Sequence, residues 1–183
     1  TIGLYSGYFG GIVESLLMRF TDIMLSFPFL IVAIAIMSVL GSSQKNIIMT
    51  LAITSWPRFA RLTRGQVLSV KNMEYVESAR VAGFKDVRIL FRHVLPNCIG
   101  PLIIQGTLAV GSAILSAASL NYLGLGADAA APGWGMMLSQ GKNYLQLAPY
   151  LTTIPGIAIS ITVLSMNWIG DGLRDAFDPK MRK

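Results

Sequence analysis

Charge is what this sequence has little of. Only 13% of its 183 residues are Asp, Glu, Lys or Arg, against 53% apolar. Soluble domains carry about 25% charged residues, so the deficit and a mean hydropathy of +0.58 point to a chain that lives in lipid. A single cysteine, Cys98, excludes an internal disulfide framework and any cysteine-cluster metal site. A single histidine, His93, is too little for a metal centre, which draws on several His, Cys or carboxylate ligands. His93 and Cys98 also lack the orienting third group a nucleophilic pair needs. Met136–Asn143, MMLSQGKN, approaches a phosphate-binding loop but lacks its first glycine, its Ser/Thr after the lysine and a preceding buried strand. Ser139–Lys142 fits S-x-x-K with none of the companion motifs of serine acylases. The net charge of +6 comes from basic residues beside apolar stretches, a membrane-flanking excess rather than a nucleic-acid face. There is no signal sequence or lipidation motif at the start and no internal repeat.

What is there, in chain order, is a set of apolar stretches. Residues 1–9, TIGLYSGYF, read as the tail of a helix whose beginning is missing, so the chain is expected to be a fragment. From Gly10 to Phe27 the pattern is amphipathic, with Leu16, Phe20, Met24 and Phe27 on an apolar stripe and Ser15, Arg19, Asp22 and Ser26 on a polar one. Arg19 and Asp22 can pair at i, i+3, and such a helix belongs at a membrane boundary or against a partner. Pro28–Gly41 is a first complete span that must borrow length from before the proline to reach about 20 residues. Gly41–Asn46 is a loop, and Ile47 to Leu62 a second span kinked at Pro57. Arg58, Arg61 and Arg64 follow at three-residue spacing and mark where that helix leaves the hydrocarbon, snorkelling to headgroups or meeting a partner.

A third span runs from Leu102 to Leu123, with Ala109, Ala113 and Ala117 at four-residue spacing, the small-residue pattern by which helices approach closely in lipid. Ser116, Ser119 and Asn121 near its end are candidates for lining a polar pathway. Gly124–Ala148 is a long connection, Pro149–Ile169 a fourth span bent near Pro155 and Gly156, and the remainder a polar tail holding Asp171, Asp175 and Asp178-Pro179. The two loops Gly41–Asn46 and Gly124–Ala148 hold only Lys45 and Lys142 of the 15 basic residues. The positive-inside rule therefore places 10–27, 62–100 and the C-terminus in the cytosol.

The polar island is residues 72–96. Asn72 can N-cap a helix with Glu74 in its first turn, and Gly83 is a natural stop. Tyr75, Ala79 and Ala82 at i, i+4 and i+7 give a mostly small face, suited to lie in another protein's groove. Asp86 can cap a second helix with Val87, Leu90, Phe91 and Val94 on one side, closed by Pro96, and His93 on its surface.

Glu77-Ser78-Ala79, then Gly83 and Leu95-Pro96, resembles the EAA signature of prokaryotic ABC importer permeases. Ser78 stands in place of the second alanine and His93 in place of an isoleucine. With "SWPRFARLTRGQVLSV", "FRHVLPN", "NYLGLG" and "GDGLRDAFDP", the chain is similar to the second permease subunit of dipeptide, oligopeptide and nickel importers over nearly its whole length. The resemblance implies an all-α, MetI-like polytopic bundle of six spans, four of them within one domain over 1–183, in a prokaryotic inner membrane. It implies that 72–96 is a coupling loop docking an ATPase through Glu77, Ala79 and Gly83, with Glu74, Tyr75, Ser78, Ala82 and Phe84 beside them. The implied partners are a homologous second permease, two ABC ATPase chains, an extracytoplasmic substrate-binding protein and membrane lipid, with no nucleic acid. The implied role is peptide import by alternating access without catalysis in this chain, which itself binds no cofactor, ATP and Mg being used by the ATPase. Nickel import is the alternative within the family. A channel or secondary carrier would place ionisable residues inside the spans, and none of the four has one away from its ends. A soluble helical bundle would instead be recovered without detergent.

Overall fold

The computed structural model describes residues 1–126 and 133–177; Asp178-Pro179 and part of the Gly124–Ala148 connection fall outside them. The described residues form helices: α1 Ile2–Phe9, α2 Gly11–Ser26, α3 Phe29–Leu40, α4 Gln44–Val70, α5 Glu74–Val81 and α6 Asp86–Ile89. A π-helical turn, Leu90–Val94, leads into α7 Leu95–Tyr122; α8 Trp134–Gly141, a 3-10 turn Lys142–Tyr144 and α9 Tyr150–Phe177 follow. Among the described residues, two single helical stretches are long and apolar enough to cross a membrane, Asp86–Tyr122 and Tyr150–Phe177.

The first span is as short on its own as the sequence indicates, and the second is corrected. α3 does not continue α2 as one helix: the chain is interrupted at Phe27-Pro28, since Pro28 supplies no backbone donor and sits extended at φ −57, ψ 131. Alone, the 12 residues of α3 reach about 18 Å, short of the roughly 30 Å hydrocarbon; taken together with α2 they are long and apolar enough to cross. α4 has the length, 27 residues, but carries Arg58, Arg61 and Arg64 within it, and is not among the helices apolar enough to cross. It runs unbroken through Pro57, which is fully buried. The Gly41–Asn46 loop is shorter than read, because Gln44 already starts α4 and Asn46 Nδ2 donates to the Leu40 and Gly41 carbonyls at 2.8 and 2.9 Å.

Pro96 does not close a helix either. The chain passes through it, and the Leu95 N–H bonds the Leu90 carbonyl five residues back. A proline clashes with the carbonyl four residues before it; the π turn immediately upstream widens the helix and absorbs that conflict. The register shifts accordingly. Ile89, Leu90, Val94 and Cys98 are fully buried, whereas Val87 and Phe91, expected on the same side, are exposed.

The chain divides into two compact units. Unit 1 comprises Thr1–Ser26, Ser55–Gly106 and Leu173 onward. Its core joins Leu4, Tyr8, Val67, Val70, Val76, Ala79, Ile89, Leu90, Val94 and Cys98. α1 approaches α4 through Gly3 and Gly7: a Cβ on Gly7 would stand 2.9 Å from Val67 Cβ and 3.0 Å from the Arg64 carbonyl oxygen.

Unit 2 comprises Phe27–Thr54 and Thr107–Gly172, with Ala33, Met37, Ile47 and Leu120 at its core and Ala117 packed against them. Ala109 and Ala113 are half-buried, and the tightest approaches lie on a neighbouring row. A Cβ on Gly111 would stand 3.1 Å from Asn167 Oδ1, one on Gly170 3.0 Å from Leu108 Cδ2, and one on Gly135 2.7 Å from Ala118 Cα. The long connection after Gly124 thus contains a helix, α8. Ser139 of α8 donates to the Tyr122 carbonyl at 3.2 Å, and the Lys142 ammonium lies 5.3 Å from the Tyr122 ring centroid, so both pack α8 and the turn after it against the end of α7.

Candidate functional site: the loop between α4 and α7

α5 is built by backbone geometry at both ends. Met73, not Asn72, is the N-cap; it is extended at φ −77, ψ 146 and makes no side-chain cap bond. Its carbonyl accepts the Val76 and Glu77 N–H groups at 2.9 and 3.1 Å, while Asn72 sits exposed in the preceding turn. Glu74 and Glu77 occupy the first turn, where carboxylates complement the positive helix end. At the far end the Gly83 N–H bonds the Arg80 carbonyl at 3.0 Å and the Phe84 N–H bonds the Ala79 carbonyl at 3.2 Å. Gly83 stands at φ +78, the left-handed position of a Schellman stop, where the sequence places it.

The helix has two faces. Val76 (0% exposed) and Ala79 (6%) enter the core of unit 1. Glu74, Glu77, Ser78, Val81 and Ala82 line an open concavity of about 560 Å³ on the other face. Tyr75, Gly83 and Phe84 are exposed beside it. Seven of the eight residues singled out from the sequence are therefore outward-facing and Ala79 is not: the small face expected from Tyr75, Ala79 and Ala82 is split, because Ala79 follows Val76 by three residues into the core. Desolvation, and secondly the Cys98 sulfur, push the Tyr75 phenol above its ordinary pKa.

Both ends of the loop are tied to α1. Tyr8 Oη donates to Asp86 Oδ1 at 2.8 Å, and Lys71 Nζ donates to the Gly7 carbonyl at 2.8 Å. The Arg88 guanidinium lies 4.6 Å from the Phe84 ring centroid, and Phe84 stacks on His93 at 6.2 Å and 22°. His93 thus has a packing role where the EAA pattern has isoleucine. Among the described residues no group of three or more His, Cys, Asp and Glu could hold a metal.

The arginine row on α4 meets α2. Arg61 pairs with Asp22, and Arg64 Nε donates to Glu14 Oε1 at 2.6 Å. Asp22 therefore does not pair with Arg19, as the i, i+3 spacing suggested; the longer-range partner on α4 takes it. Phe20 stacks on Trp56 at 5.9 Å and 18°.

Of the pathway candidates in unit 2, Ser119 lines a mostly apolar cavity of about 370 Å³ with Leu115, Tyr122, Leu138, Ile159 and Ser160. Its hydroxyl donates back to the Leu115 carbonyl at 2.8 Å, and Ser160 does the same to Gly156 at 2.9 Å. Ser116 is half-buried. The Asn121 side chain lies against Gly126 and Gly135.

Long apolar helices joined to a compact polar loop, itself anchored by a core of three helices, define a polytopic helical membrane subunit. Residues 1–183 match the family model described as binding-protein-dependent transport system inner membrane component, and the chain belongs to that family. It is 48% identical over 182 residues, all of this chain and 60% of the relative, to the dipeptide transport system permease protein DppC of Alkalihalophilus pseudofirmus. It is 43% identical, over 60% of the relative, to the glutathione transport system permease protein GsiD of Pectobacterium atrosepticum. DppC of Haemophilus influenzae is 44% identical over 183 residues, 62% of its length. The chain thus spans about three fifths of the curated relatives it matches.

Proposed function

We propose that this chain is the membrane-embedded part of an ATP-driven importer of short peptides, and that residues 72–96 couple it to an ATPase supplied by separate chains. The observation that carries the reading is the two-faced α5. Val76 and Ala79 root it in the same core as residues of α1, α4 and the start of α7, while its acidic and small residues face outward. A knob so rooted transmits force: a partner that grips Glu77, Ser78, Val81 and Ala82 and moves them displaces the core of unit 1 with them. Two ATPase chains, a second permease and a substrate-delivering protein complete the assembly, with the loop and C-terminus in the cytosol. ATP and Mg act in the ATPase, and movement of the knob switches the access of the pathway from one side to the other.

Short peptides are favoured as cargo because the relatives' printed substrates are dipeptides, di- or tripeptides and glutathione, all peptide-like. Nickel, the alternative within the family, is not among the substrates for which those relatives are named. The test is a single cysteine at Ser78, paired with cysteines on the co-expressed ATPase. Cross-linking is expected from inverted membrane vesicles and not from intact cells treated with an impermeant linker. Labelling of the Ser78 cysteine from outside intact cells, or the absence of any ATPase adduct, refutes the assignment.

A further inference from the structure

Unit 1 carries a second concavity, of about 660 Å³, where the end of α2 meets α4 and the early turns of α7. Leu25 and Leu62 supply apolar wall, and Arg58, Arg61, Gln66 and Gln105 supply polar edge. Gly65 lies between them, and a Cβ there would meet nothing within 4 Å, so the floor is open. Among the described residues the charges here are not all paired. Asp22 neutralises Arg61 and Glu14 neutralises Arg64, but Arg58 is exposed and neither ion pair includes it. Arg61 keeps further N–H donors after meeting one carboxylate, since a guanidinium has five.

The position in depth matches the chemistry. The apolar run of α4 ends at Trp56-Pro57 and Arg58 follows at once. Trp56 is stacked on Phe20, and aromatic side chains mark the headgroup level of a bilayer. On α2, Ile12, Leu16 and Ile23 are exposed at 80%, 66% and 57%, the amphipathic exposure of a helix lying in the interfacial plane. A site of that composition at that level presents planar guanidinium donors for phosphate oxygens, carboxamide donors for a polar headgroup, and leucine surface for the glycerol and first acyl carbons. We propose that this concavity binds the phosphate-bearing headgroup of an anionic membrane lipid, with Arg58 as its principal contact.

The experiment uses the assembled transporter, purified in detergent and titrated with phosphatidylglycerol or zwitterionic phosphatidylethanolamine, the retained lipid being counted by native mass spectrometry. Anionic lipid near a membrane surface gains roughly fivefold in affinity per neighbouring cation. Wild type is therefore expected to hold phosphatidylglycerol about fivefold better than phosphatidylethanolamine, Arg58→Gln to lose that preference, and Arg19→Gln to keep it. Arg19 is the control, being an exposed cation on α2 outside the concavity. Equal loss in both variants would reduce the effect to diffuse surface charge and overturn the site. Displacement by inorganic phosphate as readily as by lipid would make it a free-anion site, and cross-linking of an Arg58→Cys variant to another subunit without retained lipid would make it a protein interface; either result overturns the lipid assignment.

Discussion

If α5 is a lever, its root is Val76, and loosening that root must free the knob without touching its outer face. Val76→Ala deletes two methyl groups from a fully buried site among Ile89, Leu90, Val94 and Cys98. The transfer contribution is about 0.8 kcal/mol per methylene-sized group, and incomplete collapse of the vacated space adds to it, so about 2–3 kcal/mol is lost in all. Val81→Ala removes the same atoms from a side chain 85% exposed on the same helix and should cost no more than about 0.5 kcal/mol. The assay is amide hydrogen exchange of Glu77–Phe84 in the intact assembly, because exchange by local opening reads local rather than global stability. Val76→Ala should speed it by about 30- to 150-fold, at a factor of 10 per roughly 1.4 kcal/mol, and Val81→Ala by no more than about 2-fold. Equal acceleration by the two variants would mean that α5 is not held through Val76, and the force-transmission reasoning would fall with it.

Gly83→Ala forces a side chain into φ +78, which costs about 1–2 kcal/mol; it should fray the last turn of α5, seen as faster exchange at Phe84, while the start of the helix stays protected. Gly7→Leu drives new atoms into Val67 and the Arg64 carbonyl, so α1 should leave α4, and a Gly7→Leu transporter should show a lower thermal midpoint than Gly65→Leu, whose Cβ meets nothing. Glu14→Gln should destabilise more than Asp22→Asn in a thermal shift at low salt, because the Glu14–Arg64 side chains are 20% and 35% exposed against 58% and 56% for Asp22–Arg61. Exposed ion pairs contribute about 0–1 kcal/mol and are screened, so the Asp22→Asn effect should also vanish in high salt.

Where a feature depends on local chain chemistry, the sequence was readable. Gly83 ends α5 because only the left-handed position closes that turn, and composition plus run length found the α7 and α9 regions. Most of the misses share one cause: the deciding interaction lay far along the chain. Asp22 has a plausible partner three residues away in Arg19 and a better one in Arg61, 39 residues on. Ala79 fits a small outward stripe until Val76, packed on residues of α1, α4 and α7, fixes the rotation of the helix. Pro96 reads as a stop until the π turn before it is seen. The alanine row of α7 obscured the closer glycine contacts at Gly111 and Gly170 because small residues are abundant on that helix and only the facing helix selects among them. Gly3 and Gly7 form a G-x-x-x-G pair, a pattern legible in the sequence, although only the packing on α4 shows which helix it meets.

The same long-range contacts decide what the loop can do. A surface helix of 8 residues has too little length to be stable alone in water, where about 12–15 residues are marginal. Its order must come from tertiary contacts, and these are α1 through Tyr8–Asp86 and Lys71–Gly7, and the shared core with Val67, Val70, Leu90 and Val94. An element that owes its order to three helices cannot move independently of them without losing about the free energy that folds it. A partner that binds its outward face therefore either carries those helices along or unfolds α5. The Schellman closure at Gly83 and the buried Val76 both favour the first outcome, so a partner gripping the acidic outward face would carry the core of unit 1 with it.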